Sequence, residues 1–83
     1  MINNKKELLT NIDKLHTTEL GILRISRNLE LKNINVVDWC KNKILSKHSI
    51  INRQGKNWYI NIDNYEITVN AFSYTIITAH KGC

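Results

Sequence analysis

Hydrophobic residues recur at helical spacing through the first half of the chain and at alternate positions through the second half. The first pattern predicts two to three helices within residues 4–46, and the second predicts four strands within residues 48–81. The short links between strands favour antiparallel neighbours. The expected fold is therefore a single α+β domain over residues 1–83, with the N-terminal helices packed on one face of a four-stranded antiparallel β-meander.

Polar residues mark where these elements begin. Asn3 or Asn4 is expected to cap a first helix that runs to about Leu15. Thr17 is expected to cap a second helix that runs to about Leu29, and Asn35 is expected to cap a third. The predicted strands are His48–Arg53, Asn57–Asp63, Tyr65–Ala71 and Phe72–Lys81.

The alternation also assigns the two faces of the sheet. Trp58 and the apolar residues in register with it are expected to face the helices, whereas Tyr59 lies on an open, polar face. In the fourth strand the larger set, Phe72, Tyr74 and Ile76, is placed inward. Strand parity then puts His80 on the buried face, unless a register change or a bulge turns it outward.

The charge is unevenly distributed. The formal net charge is +5, and residues 32–56 alone carry a net +5 because six cations there are opposed only by Asp38. A local excess of this kind attracts phosphate, although it also occurs on surfaces that only keep a protein soluble. The leading hypothesis is a nucleic-acid-binding module, with stacking on Tyr59 and phosphate contacts from lysines and an arginine: Lys41, Lys43, Lys47, Arg53 and Lys56.

Several classes of function are disfavoured. The N-terminal segment lacks the apolar core of a signal peptide, and no stretch is long and apolar enough for a membrane span. Cys40 and Cys83 form no disulfide framework, so a cytoplasmic protein with free thiols is expected, with Cys40 in the core. The histidines lack the spacing of metal ligands, and neither a metal nor a cofactor is expected.

A metal-independent ribonuclease is one alternative. The order of elements resembles the barnase-like and toxin-like class, in which an open sheet face carries the catalytic groups. That resemblance implies His80 as a general acid, with Thr78 and His16 as further candidate catalytic residues and Arg53 and Lys56 near the phosphate. A structural histidine at a strand end is the favoured interpretation of His80.

Two binding alternatives remain open. The apolar spacing from Ile25 to Trp39 is compatible with a helix-turn-helix, although Glu30 replaces the usual turn glycine and Asp38 would repel phosphate. A small inhibitor of a nucleic-acid enzyme, of mobile-element origin, would instead use the open face or an unpaired strand edge to bind a protein partner. The oligomeric state is not determined by these patterns.

Four phrases distributed along the chain resemble a family of small uncharacterised bacterial proteins, a domain of unknown function. They are NIDKLHTTELG, VVDWCKNKIL, GKNWY and TVNAFSYTIITAHK. The resemblance implies a stand-alone domain and transfers no activity. If the family has a polar site, these phrases supply its candidates: His16, Thr17, Asn57, Asn70, Thr75, Thr78 and His80.

Overall fold

The computed structural model describes residues 5–82 and confirms the expected α+β arrangement. The helices are α1 (Lys5–Thr10), α2 (Glu19–Leu29) and α3 (Val36–Leu45), with a short 3₁₀ helix at Ile12–Lys14. The strands are β1 (Ile50–Gln54), β2 (Asn57–Ile62), β3 (Tyr65–Asn70) and β4 (Ile76–Lys81). They form one antiparallel sheet in the order β1-β2-β3-β4, which is the predicted meander.

The helix caps follow the sequence signals with one correction. Asn35 caps α3 as predicted, because its side chain accepts a hydrogen bond from the main-chain N–H of Asp38. Thr18, rather than Thr17, caps α2 by accepting from the N–H of Gly21. The Thr17 hydroxyl donates instead to the carbonyl of Ile76 in β4, a partner that local sequence does not reveal.

The first helix is shorter than predicted. It ends at Thr10, where the main-chain N–H of Asn11 is shared between the carbonyls of Glu7 and Leu8 and the Asn11 side chain also bonds Glu7. The chain then tightens into the 3₁₀ helix and buries Leu15. The predicted cap at Asn3 or Asn4 lies outside the described residues.

One face of the sheet forms the core with the helices, as the alternation predicts. Trp58 and Ile60 of β2 and Ile67 of β3 are fully buried. Residues from α1, α2 and α3 complete the same cluster: Leu8, Ile25, Leu29, Val36, Cys40 and Ile44. The opposite face carries Tyr59 beside Thr68 and Asn61 beside Glu66.

The fourth strand differs from the prediction at its start. β4 begins at Ile76, because residues 71–73 form a turn and Tyr74 adopts a left-handed backbone with φ of 60°. Phe72 was expected inward and is exposed instead. The register then shifts between Thr68 and Val69, whose partners are Thr78 and Ile76, so Ile77 is the extra residue of a β-bulge. This bulge turns His80 onto the open face.

The Cys40 thiol is buried in the core, and burial raises its pKa to about 12. The thiolate is the reactive form, so in a Cys83→Ser background we expect Cys40 to react with a disulfide reagent at pH 8 only as fast as the chain unfolds. Labelling should become rapid in denaturant. Rapid labelling in native buffer would contradict this burial.

The same shift predicts how stability depends on pH. The folded chain holds the Cys40 proton more tightly than the unfolded chain, whose thiol pKa is about 8.5. The stabilising contribution is therefore complete below about pH 8.5 and decreases as pH rises toward the folded pKa of about 12. Urea unfolding at pH 7 and at pH 10 measures the free energy of unfolding. This free energy should decrease more between the two pH values for Cys83→Ser than for Cys40→Ala/Cys83→Ser. Equal losses would contradict it.

The corrected cap gives a third prediction. Thr18→Ala removes the side-chain acceptor at the start of α2 and should lower the free energy of unfolding by about 1 kcal/mol. Thr10→Ala is the matched control, because Thr10 is exposed at the end of α1 and forms no capping bond. Urea denaturation of both variants measures the difference, and an equal effect of the two would argue against the cap.

Candidate functional site

Three segments that are distant in sequence meet at one end of the sheet. The β1–β2 turn and the turn between β3 and β4 are joined by a hydrogen bond of 2.7 Å from the N–H of Ala71 to the carbonyl of Lys56. The segment before α2 joins them through His16, whose N–H donates to Tyr74 at 3.2 Å and whose carbonyl accepts from Ile76 at 2.7 Å. The end of the sheet is thus tied to the helical half.

The turn between β3 and β4 is built around the side chain of Asn70. Its Oδ1 accepts hydrogen bonds of 2.9 Å from the main-chain N–H groups of Phe72 and Ser73, and one of 3.1 Å from the Ser73 hydroxyl. This turn directs Phe72 into solvent, where it is 74% exposed, while Tyr74 packs on Trp58 at 5.4 Å between ring centroids. An aromatic ring is therefore presented on a rigid support.

Three cations lie at this end of the sheet. The Arg53 guanidinium lies 5.5 Å from the Phe72 ring centroid and is held by a 2.8 Å bond from its Nε to the carbonyl of Gly55. Lys14 lies 5.6 Å from the Tyr74 ring centroid, and Lys56 is exposed in the adjacent turn. Among residues 5–82, none of the three cations has a carboxylate at ion-pair distance.

A chain of polar side chains lies beside these groups. His16 Nδ1 is 2.9 Å from the carbonyl of Lys14, which only accepts, so Nδ1 carries a proton. His16 Nε2 is 3.0 Å from the Thr75 hydroxyl, and that hydroxyl is 2.7 Å from Ser73 Oγ. We call these groups the sheet-end cluster: Lys14, His16, Arg53, Lys56, Phe72, Ser73 and Thr75.

The structure brings several of the polar candidates from the family phrases to this cluster. His16 and Thr75 are in direct contact, and Asn70 organises the adjoining turn. Asn57 pairs with Asn70 in the register of β2 and β3 and donates to the Tyr59 hydroxyl at 3.4 Å. Phrases separated by most of the chain therefore supply one continuous polar surface.

His80 lies elsewhere, on the open face of the sheet. Its Nε2 is 3.3 Å from Glu66 Oε1 and its Nδ1 is 3.0 Å from the carbonyl of Lys81, so both ring nitrogens face acceptors. Thr78 is opposite Thr68 on the same face. The strand positions of that face carry no lysine or arginine: Ile50, Asn52, Gln54, Asn57, Tyr59, Asn61, Glu66, Thr68, Asn70, Thr78 and His80.

The three candidate catalytic residues do not form one constellation. His16 contacts Thr75, which is five residues before His80 in the chain. Five residues of extended strand separate Thr75 from His80 by about 16 Å. A general acid and a general base for one phosphodiester must both reach the same reacting centre. His16 and His80 are too far apart to share that role in this arrangement.

The predicted phosphate-binding residues are divided in the same way. Lys41 pairs with Asp13 at 3.7 Å, and Lys43 pairs with Asp63 at 3.2 Å at the opposite end of the sheet from Lys56. Lys43 also lies over the rings of Trp39 and Tyr65. Lys47 is exposed after α3, and only Arg53 and Lys56 of the predicted set reach the sheet-end cluster.

Sequence reasoning missed Lys14, Phe72 and Ser73. An asparagine whose side chain can bond the backbone two and three residues later is a turn signal, and Asn70 followed by Ser73 carries it. Recognising that turn would have ended the third strand at Asn70 and placed Phe72 at its tip. Lys14 had no comparable signal, because its partner Tyr74 is distant in sequence.

Residues 5–82 contain neither a grouped set of metal ligands nor a membrane-spanning helix. In that range no three or more histidine, cysteine, aspartate or glutamate side chains are grouped so that they could hold a metal ion. None of the helices there has the length and apolar character needed to cross a membrane.

Comparisons with known proteins give a family without an activity. No curated protein and no solved structure matches the chain. A family model described as a protein of unknown function, DUF3781, matches residues 9–80. The match spans nearly the whole chain and confirms the resemblance carried by the four phrases, whereas no comparison confirms the resemblance to ribonucleases. The chain belongs to the DUF3781 family of proteins of unknown function.

Proposed function

We propose that this domain binds single-stranded nucleic acid through the sheet-end cluster. The observation that carries the proposal is the exposed Phe72 ring with the Arg53 guanidinium 5.5 Å from its centroid, at the end of the sheet that also carries Lys14 and Lys56. None of these three cations has a carboxylate partner among residues 5–82. Base stacking on an aromatic ring beside phosphate-binding cations is the common plan of single-strand binding proteins.

The rigidity of the cluster supports this role. The main chain of Phe72 is held by the Asn70 turn, and the Arg53 side chain is held by its bond to Gly55, which lowers the conformational entropy that is lost when a base stacks there. The His16, Ser73 and Thr75 side chains supply hydrogen-bond donors and acceptors beside the stacking ring. A duplex hides its base faces, so a single strand fits an exposed ring better.

The geometry favours a nucleic-acid site different from the one that the sequence predicts. Lys41 and Lys43 are paired with Asp13 and Asp63, and Tyr59 lies on a face without lysine or arginine at its strand positions. Lys47 is exposed but lies away from the aromatic groups of the cluster. Arg53 and Lys56 are retained, and Lys14 and Phe72 are added.

The salt dependence of binding tests the cations. Binding of a labelled ten-nucleotide uridine strand is measured by fluorescence anisotropy at several salt concentrations. The logarithm of the binding constant should fall linearly with the logarithm of the salt concentration, with a slope of about 0.7 per neutralised phosphate. Arg53→Ala or Lys56→Ala should each reduce that slope by about 0.7. Lys47→Ala is the matched control and should leave the slope nearly unchanged. A slope near zero in the parent chain would sink the proposal.

Phe72→Ala tests the stacking ring separately. Removal of one base–aromatic stack should weaken binding by about 1–3 kcal/mol at every salt concentration, with the salt slope preserved. Ile50→Ala is the control, because Ile50 is an exposed apolar residue on the open face of the sheet. An equal loss in both variants would assign the effect to general apolar surface.

The same samples distinguish binding from cleavage. The strands are recovered after incubation in EDTA and examined on a gel. Intact strands with salt-sensitive binding support the proposed module. Shortened strands, protected by His80→Ala, would instead favour the metal-independent ribonuclease and overturn the assignment of the function to the sheet-end cluster.

A further inference from the structure

The outer side of α2 carries apolar residues that the fold does not use. Gly21, Ile25 and Leu29 form the buried side of this helix, at the spacing expected for one helical face. Leu20 and Leu23 point away from that side and are 71% and 63% exposed. A single exposed leucine needs no explanation, but two neighbours one turn apart form a continuous apolar patch.

Two arginines flank these leucines. Leu20, Leu23, Arg24, Arg27 and Asn28 line one shallow surface groove, which we call the α2 patch. Neither arginine has a carboxylate at ion-pair distance among residues 5–82. Lys81 of β4, in contrast, is paired with Glu30, the residue that follows α2. The Asn28 amide is already used, because it donates to the carbonyl of Ala79 at 3.3 Å.

We propose that the α2 patch binds an acidic amphipathic helix of a partner protein. An apolar stripe on such a helix would cover Leu20 and Leu23, and its flanking carboxylates would pair with Arg24 and Arg27. The exposed face of α2 supplies the complementary surface. This surface is independent of the sheet-end cluster, since none of its residues belongs to that cluster.

Charge argues against the other occupants of this patch. In a two-fold dimer the same surface faces itself, so a second copy would bring like-charged arginines together around the leucines. A nucleic-acid strand would pair with the arginines but would leave the leucines without an apolar partner. A ligand that combines carboxylates with apolar side chains satisfies both halves of the patch.

The test uses two labelled helical peptides of about 20 residues with the same leucine stripe at i, i+3, i+4 and i+7. One peptide carries glutamates beside the stripe, and the other carries lysines at the same positions. Fluorescence anisotropy with the full chain should show the acidic peptide binding at least tenfold more tightly. Arg24→Glu/Arg27→Glu should remove that preference, and Leu20→Ser/Leu23→Ser should weaken binding of the acidic peptide at least tenfold.

Matched controls make the result specific. Ile50→Ser changes a residue of similar exposure, 62%, on the open sheet face and should bind the acidic peptide like the parent. Circular dichroism checks that each variant is folded. Equal affinity for the two peptides, or unchanged binding by the arginine and leucine variants, would overturn the proposal. A dimer in sedimentation that Leu23→Ser dissociates would also overturn it, in favour of a second copy.

Discussion

The bridge between His16 and the start of β4 is the contact on which the rest of the arrangement depends. Its two main-chain bonds, His16 to Tyr74 and Ile76 to His16, join the helical half of the chain to the last strand. The Thr17 hydroxyl and the Asn28 amide continue this contact by donating to carbonyls of β4. The exposed edge of β4 is thereby covered, and α2 is held where its buried side reaches the core while its outer side stays in solvent.

The same bridge shapes both proposed surfaces. It positions His16 beside Thr75, and it accommodates the left-handed backbone of Tyr74, whose carbonyl it uses as an acceptor. Gly21 belongs to this arrangement, because a Cβ at that position would overlap the Thr17 hydroxyl that bonds β4. A larger residue at position 21 would therefore disturb the junction between the two halves.

Ion pairs decide which part of the positive charge remains available. The net charge of +5 is a property of the whole chain, yet Lys41, Lys43 and Lys81 are each matched with a carboxylate from another element. Among residues 5–82, Lys14, Arg53 and Lys56 near the aromatic turn and Arg24 and Arg27 on the outer side of α2 have no such match. Surface ion pairs add little stability, so their main consequence here is to remove charge from one region and leave it in others.

The sequence by itself determined the class of fold, the order of elements and the identity of the core. Helical and alternating periods are local properties, and so are caps such as Asn35; they depend only on neighbouring residues, which is why Trp58 and Cys40 were placed in the core correctly. Only the tertiary structure decided that Phe72 faces solvent, that a bulge turns His80 outward, and that Lys14 and His16 lie beside Arg53 and Lys56. These features depend on strand register, on ion pairs and on hydrogen bonds between residues as distant as 16 and 75. They cannot be read from local sequence, because a one-residue shift in register reverses the face of every side chain that follows.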